Sequence, residues 1–450
     1  MPLDQTSQGA TRNSRKLVAA ILAAVLVVVL SIAAFTMSRE SGANANVSKY
    51  QSATNPGENQ RPVIATPSSP PPSSAVIPNE NRRPAIAVGQ YHSLALDKNG
   101  KVYATGDNSY GQLGLGNSRH ARMVFTPVSS LGNKKIVAIA AGDFHSLALD
   151  DLGRLYATGF NRDGQLGLGN HGIETNRENF TLVSSLKDKK IVMIEAGKND
   201  SFAIDSEGKL YAVGDNEHGQ LGMGKYDRED RDVFTFVASL EGKKIVAIST
   251  SYIHSLALDD SGKVYAAGVV GDNEHGLGDP LYQREVMSLP YFSFTPVSTL
   301  NDNTIVAVKA GYNYSLALEK SGKIYAAGGN EYGYPGAGDG NLVDFTLVAD
   351  LSDKKIVAIT MENLSTPIVL DSKGKLYAAS VDAQKQLESG DVIKHIEFTP
   401  VSALVNKRIV AVAAGEIHSL ALDKNGKIYA KGRDDWGQLG FGDIINPAIK

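Results

Sequence analysis

Short apolar runs punctuated by glycine and aspartate recur along most of this chain. Between Ile136 and Ser184 they read Ile136-Val-Ala-Ile-Ala-Ala141, His145-Ser-Leu-Ala-Leu149, Arg154-Leu-Tyr-Ala-Thr158 and, after a variable loop, Phe180-Thr-Leu-Val-Ser184. Each is of strand length, rich in β-branched or aromatic residues, and closed by Gly or by Asp-X-X-Gly, where glycine supplies the positive φ of a tight turn. The apolar positions are nearly continuous, which predicts sheets covered on both faces. The stretch from Gly142 to Asn170, GDFHSLALDDLGRLYATGFNRDGQLGLGN, returns at Gly89, Gly197 and Gly415, and more loosely at Ser251, Gly311 and near Glu362. Seven copies of several strands each, spaced in the fifties of residues, predict a radially repeated all-β array. The glycine-dense segments at 111 to 116 and 164 to 169 are too rich in glycine for a helix interior and read as tight loops on the rim.

The phrase Val-Ala-Ile-Ala-Ala-Gly-X-X-His-Ser-Leu-Ala-Leu, followed by Gly-X-X-Tyr-Ala-X-Gly-X-Asn-X-X-Gly-Gln-Leu-Gly, resembles the repeat of the regulator of chromosome condensation family over residues 84–450. The resemblance implies an all-β, seven-bladed β-propeller of four-stranded blades. For its best-known member it also implies guanine nucleotide exchange on a small Ras-like GTPase, but no residue here matches a nucleotide-displacing loop. A likeness to propeller-type β-lactamase inhibitors suggests inhibition of a secreted enzyme as a further alternative. Fold alone selects none of these.

Ahead of the repeats the pattern changes twice. Leu17 to Phe35 carries no charged residue, and at 1.5 Å per residue it spans roughly 28 Å, about the hydrocarbon thickness of a bilayer. Arg12, Arg15 and Lys16 precede it, so the amino-terminal side is expected in the cytoplasm and the propeller outside. The organisation expected is a cytoplasmic tail (1–16), a transmembrane signal-anchor helix in contact with the bilayer (17–37), a linker (38–83) and the propeller (84–450). Cleavage near Ala45, which would secrete the propeller, is the alternative; the apolar run exceeds an ordinary signal-peptide core. The linker is poor in large apolar residues and rich in Pro, Ser and Asn, a composition that does not repay the entropy of ordering, and Pro70-Pro71-Pro72 stiffens part of it.

Net charge is −3 and there is no cysteine. No basic domain argues for nucleic acid, and no disulfide is possible. No Gly-X-Ser-X-Gly elbow and no His-Glu-X-X-His helix occurs, so an enzyme is not expected, although an active site at the central channel stays open. No cofactor is expected. Gly336 to Gly340 is glycine-rich but precedes no helix, which removes a phosphate cradle. His92, His145, His254 and His418 belong to separate repeats, with Asp200 and Tyr314 replacing them in two others; they are expected to be structural rather than metal-binding. The Asp-Asn pairs at 107, 215 and 272 lack calcium-loop spacing.

Two repeats depart from the pattern. The fourth inserts Asp279 to Pro290 before its last strand. The sixth replaces the glycine frame with Val381 to Gly390 and puts Pro367 within an apolar run, where proline suits an edge or a bulge. Asp279, Tyr282, Arg284, Glu285, Asp382, Gln384, Lys385 and Glu388 are the candidate residues for binding an unidentified protein partner, since binding residues gather on loops held by a rigid scaffold. The expected function is an interaction scaffold. The final repeat shows three strand phrases, so closure of the ring needs either Asn446 to Ile449 or an upstream piece such as Arg61 to Ala65.

Overall fold

The computed structural model describes residues 85–116, 119–224, 226–269, 291–300, 304–312, 314–328, 342–362, 366–380 and 397–441. They form seven antiparallel sheets, six of four strands and a last one of three. In each sheet the strands follow chain order outward from an innermost strand. The innermost strands are Ala85–Val88, Ile136–Ala141, Ile191–Ala196, Ile245–Thr250, Ile305–Ala310, Ile356–Glu362 and Ile409–Ala414, and each lies beside its counterparts in the neighbouring sheets, the last beside the first. The array is a closed seven-bladed propeller.

Burial follows the expected pattern. The second strands His145–Asp150 and His254–Asp259 are buried at every position, because a blade's two faces are covered by its two neighbours. Boundaries differ slightly from expectation: the outer strand of blade two is Arg177–Leu182, beginning upstream of Phe180.

The Gly-Gln-Leu-Gly segments are not rim loops. Leu113, Leu166, Leu221 and Leu439 are buried, and Leu113 packs in one cluster with Phe180 of the next blade. A Cβ placed on Gly114 would lie 2.4 Å from the Phe180 ring, and one on Gly440 would lie 2.5 Å from that of Phe125. The segment is a wedge driven under the neighbouring blade, and its glycines let the backbone reach an aromatic face.

That wedge also closes the ring. Gly437 O accepts a hydrogen bond from Thr105 Oγ1 at 2.7 Å, Gln438 O accepts one from Ser93 Oγ at 2.8 Å, and Phe441 forms a bridge with Val124. The seam between blades seven and one therefore repeats the joint between blades one and two, where Thr158 and Ser146 bond Gly111 O and Gln112 O. Both pieces considered for closure, at 61–65 and 446–449, lie outside the described residues.

Pro367 corrects another expectation. It stands in Thr366–Asp371, the second strand of blade six, with strands on both sides. It lies opposite Met361, and pairing with the third strand starts one residue later, at Ile368. Standing just before that ladder begins, Pro367 loses no third-strand bond to its missing N–H.

Candidate functional site at the mouth of the ring

The repeated histidines resolve first, because they are the obvious chemical groups. His92 Nε2 lies 2.8 Å from Ser146 Oγ of the next blade, His145 Nε2 lies 2.9 Å from Ser201 Oγ, and His418 Nε2 lies 2.8 Å from Ser93 Oγ across the seam. Each of these serines donates its own proton to a glutamine carbonyl, so the imidazole must supply the proton of the shared bond and is neutral, with Nε2 protonated. Nδ1 of all three has no partner. Protonating it would bury an unmatched donor, and burial holds His92 and His254 down to about 3 and His145 and His418 down to about 4. The histidines are rivets between blades, as the repeat reading expected. Where Asp200 replaces histidine, Thr250 replaces the usual alanine and donates to Asp200 Oδ2 at 3.0 Å, a paired exchange the sequence reading overlooked.

The position where the repeats disagree most follows the glycine of the first turn, or Ser251 in blade four. It is Gln90, Asp143, Lys198, Tyr252, Tyr312 and Glu416 in six blades. These turns leave the innermost strands, so all six residues stand around one mouth of the central channel. They touch in succession: Gln90 Nε2 donates to Glu416 Oε2 at 2.8 Å, Lys198 Nζ lies 3.6 Å from the Tyr252 ring centroid, and Tyr252 stacks on Tyr312 with ring centroids 6.2 Å apart. Asp143 feels both Glu416 and Lys198, and its Oδ2 is sealed from solvent with no hydrogen-bond partner. Just inside the channel, Lys309 Nζ reaches Glu195 Oε1 of blade three at 3.8 Å, passing the intervening blade four.

A second circle surrounds the first. The residue before Gly-Gln-Leu-Gly is Tyr110, Asp163, His218 or Trp436, and two of these lean on the first turns. Tyr110 meets Phe144 edge-on at 5.4 Å, and His218 meets Tyr252 at 5.7 Å. Trp436 is 46% and Tyr312 41% exposed. Carboxylates crowd the sector formed by blades two and three. Burial and Glu416 push Asp143 up to about 7; burial with Asp215 and Asp230 pushes Asp163 up to about 6; Asp215 and the buried Asp200 are raised as well. Perturbed carboxylates concentrated on one face mark it as a functional candidate.

The opposite face is lysine-rich, a segregation the whole-chain charge conceals. Several of its lysines are occupied by the fold: Tyr156 and Tyr211 donate to Asp150 and Asp205, each at 3.1 Å, while Lys134 and Lys189 cover their rings at 5.3 and 5.7 Å. Among the described residues no group of three His, Cys, Asp or Glu could hold a metal ion. The partner-binding candidates Asp279, Tyr282, Arg284, Glu285, Asp382, Gln384, Lys385 and Glu388 lie outside the described residues. The mouth was missed in the sequence because its column looks like turn variability; aligning the copies on their glycines and reading the next position exposes it.

The regulator of chromosome condensation (RCC1) repeat model matches residues 99–149, 153–204 and 207–258, and a second model of that repeat matches 85–112, 136–165 and 305–333. The chain is 29% identical over 365 residues to the ultraviolet-B receptor UVR8 of Arabidopsis thaliana, covering 80% of this chain and 79% of the receptor. It is 32% identical over 340 residues to the human E3 ubiquitin-protein ligase HERC2, covering 74% of this chain but only 7% of the ligase. Among solved structures, human WBSCR16 superposes with a TM-score of 0.62 at 19% identity, covering 77% of this chain and 88% of that one. Prp20p of Saccharomyces cerevisiae superposes with a TM-score of 0.60 at 22% identity, covering 77% and 84%. At these identities the two structures speak for the fold.

Proposed function

The chain belongs to the regulator of chromosome condensation repeat family, and from that premise we propose that it is a protein-binding propeller whose working surface is the acidic, aromatic mouth of the ring. The observation that carries this reading is the column after the first-turn glycine. The strands beneath it repeat almost unchanged, yet it presents Gln90, Asp143, Lys198, Tyr252, Tyr312 and Glu416 on one surface. Tyrosine and tryptophan at partial exposure supply large contact area at low entropic cost, and such residues dominate protein interfaces. Binding without chemistry fits a surface beneath which the repeated histidines, His92, His145, His254 and His418, are committed to holding blades together.

A photo-crosslinking amino acid placed at Tyr312 or Trp436 in the full chain is expected to give adducts of discrete mass in cells. The same probe at Leu152 or Val405, which are 63% and 48% exposed on the opposite face, should not. Equal labelling from both faces, or none from the mouth, would sink the assignment.

We further propose that the propeller is tethered outside the cytoplasm by Leu17 to Phe35. Those residues lie outside the described ones; among the described residues no helix is long and apolar enough to cross a membrane. The charge-free apolar run and the basic residues before it support the reading. Protease added to intact cells should degrade the propeller. Protection until lysis would favour the exchange-factor alternative instead, in line with the binding of Prp20p to Gsp1p and histones.

A further inference from the structure

Resting on the mouth as the binding surface, we infer that its partner is a protein presenting a cationic segment, with a lysine or arginine side chain seated beside Asp143 and Glu416. Four observations converge. Glu416 is close enough to oppose the ionisation of Asp143, and Lys198 offsets that only in part, so the free protein holds carboxylate repulsion at the channel mouth. Asp143 Oδ2 accepts no hydrogen bond although the residue itself is only partly buried; a turn of the carboxylate would present it to an incoming N–H donor, which supplies what it lacks. The neighbouring sector adds Asp163, Asp200 and Asp215, whose repulsion is met only in part by Arg162, the Thr250 hydroxyl and His218. Finally, the chain itself shows how a cation fits here. Lys198 lies over the Tyr252 ring, and Tyr312, stacked on Tyr252, offers an exposed ring of the same kind.

Other occupants fit less well. A divalent cation wants several carboxylate oxygens converging on one point, and among the described residues no such group exists. An acidic segment would meet like charge. The lysine-rich face opposite would attract polyanions, but several of its lysines are stacked over tyrosines, and among the described residues it has no sealed, unmatched polar atom like Asp143 Oδ2.

The test uses the full chain and two fluorescent peptides, one alternating arginine with serine and one alternating glutamate with serine, read by anisotropy at near-physiological salt. The arginine peptide should bind and the glutamate peptide should not. The double substitution Asp143→Asn with Glu416→Gln should weaken binding about tenfold, an amount in keeping with loss of close charge pairs. Lys190→Gln with Lys244→Gln, on the opposite face, should change nothing. Glu416→Gln alone keeps an acceptor for Gln90 and should weaken binding in the same direction, so the question stays answerable if the double variant is poorly folded. Affinity unchanged by both Glu416→Gln and the double variant, displacement of the peptide by millimolar calcium, or equal binding of the glutamate peptide would each overturn the inference. Crosslinks from Tyr312 and Trp436 that persist in that event would leave the parent reading standing; their absence would remove both.

Discussion

Valine at position 440 is expected to open the ring at its seam. Gly440 has a φ of +74°, and a Cβ there would stand 2.5 Å from the Phe125 ring, itself held in the outer strand of blade one. A non-glycine residue in the left-handed region costs about 1–2 kcal/mol, more when β-branched. Forcing a side chain into a packed joint costs roughly a further 1–3 kcal/mol. Against a total stability on the order of 5–15 kcal/mol this is a large fraction. Gly242 provides the control: its φ is +76°, but nothing lies within 4 Å of the added Cβ, so Gly242→Ala carries only the backbone cost. Thermal or urea unfolding should show the 440 variant far less stable than the 242 variant. Equal midpoints would mean that the wedge does not hold the seam.

The second large effect concerns pH and two aspartates of blade two, Asp143 and Asp163. Asp143 and Asp163 are raised to about 7 and about 6 in the folded protein, against 3.8 for an ordinary aspartate. A raised folded value favours the folded state at low pH, and that contribution is lost as pH rises through the folded value. Above pH 7 both are charged and partly buried at a cost of a few kcal/mol together, after allowing for partial exposure. The histidines act in the opposite sense. Their folded values of about 3 to 4 lie below 6.5, so stability is full above pH 6.5 and falls as acid protonates the unfolded chain. Each removes up to about 1.4 kcal/mol per pH unit. Asp143→Asn with Asp163→Asn should therefore be more stable than the parent at pH 8, by a few kcal/mol, and no more stable near pH 4. Both proteins should weaken between pH 6.5 and 4, the variant more steeply. Urea midpoints at the two pH values measure this directly. A stability gap that is the same at both would show that the crowding of carboxylates carries no folding cost.

Much of the fold was readable in the chain because it is said seven times. Ile136–Ala141 and Ile409–Ala414 fell where the apolar runs put them, since a run closed by glycine turns leaves little choice of register. The Gly-Gln-Leu-Gly segment was misplaced for a physical reason. Glycine density argues for a turn, but nothing in a single repeat reveals that Phe180 of the next blade needs a bare backbone beneath it. Pro367 was misjudged similarly, because where pairing starts on each side of a strand is a tertiary fact. The mouth was harder still. Asp143 and Glu416 are far apart in sequence, and only the closing of the circle brings them into each other's field. The large irregular loops drew the eye; the informative variation was a single position in a short turn.

The seam has one more consequence. Ser93, Thr105 and Phe125 receive the last blade through the same contacts by which Ser146, Thr158 and Phe180 receive the first. The chain bridges the other joints and not this one, yet the contacts are the same, so side-chain recognition suffices to join two blades without a peptide link. A propeller whose chain is opened at another sector and joined across this one is expected to close the same ring.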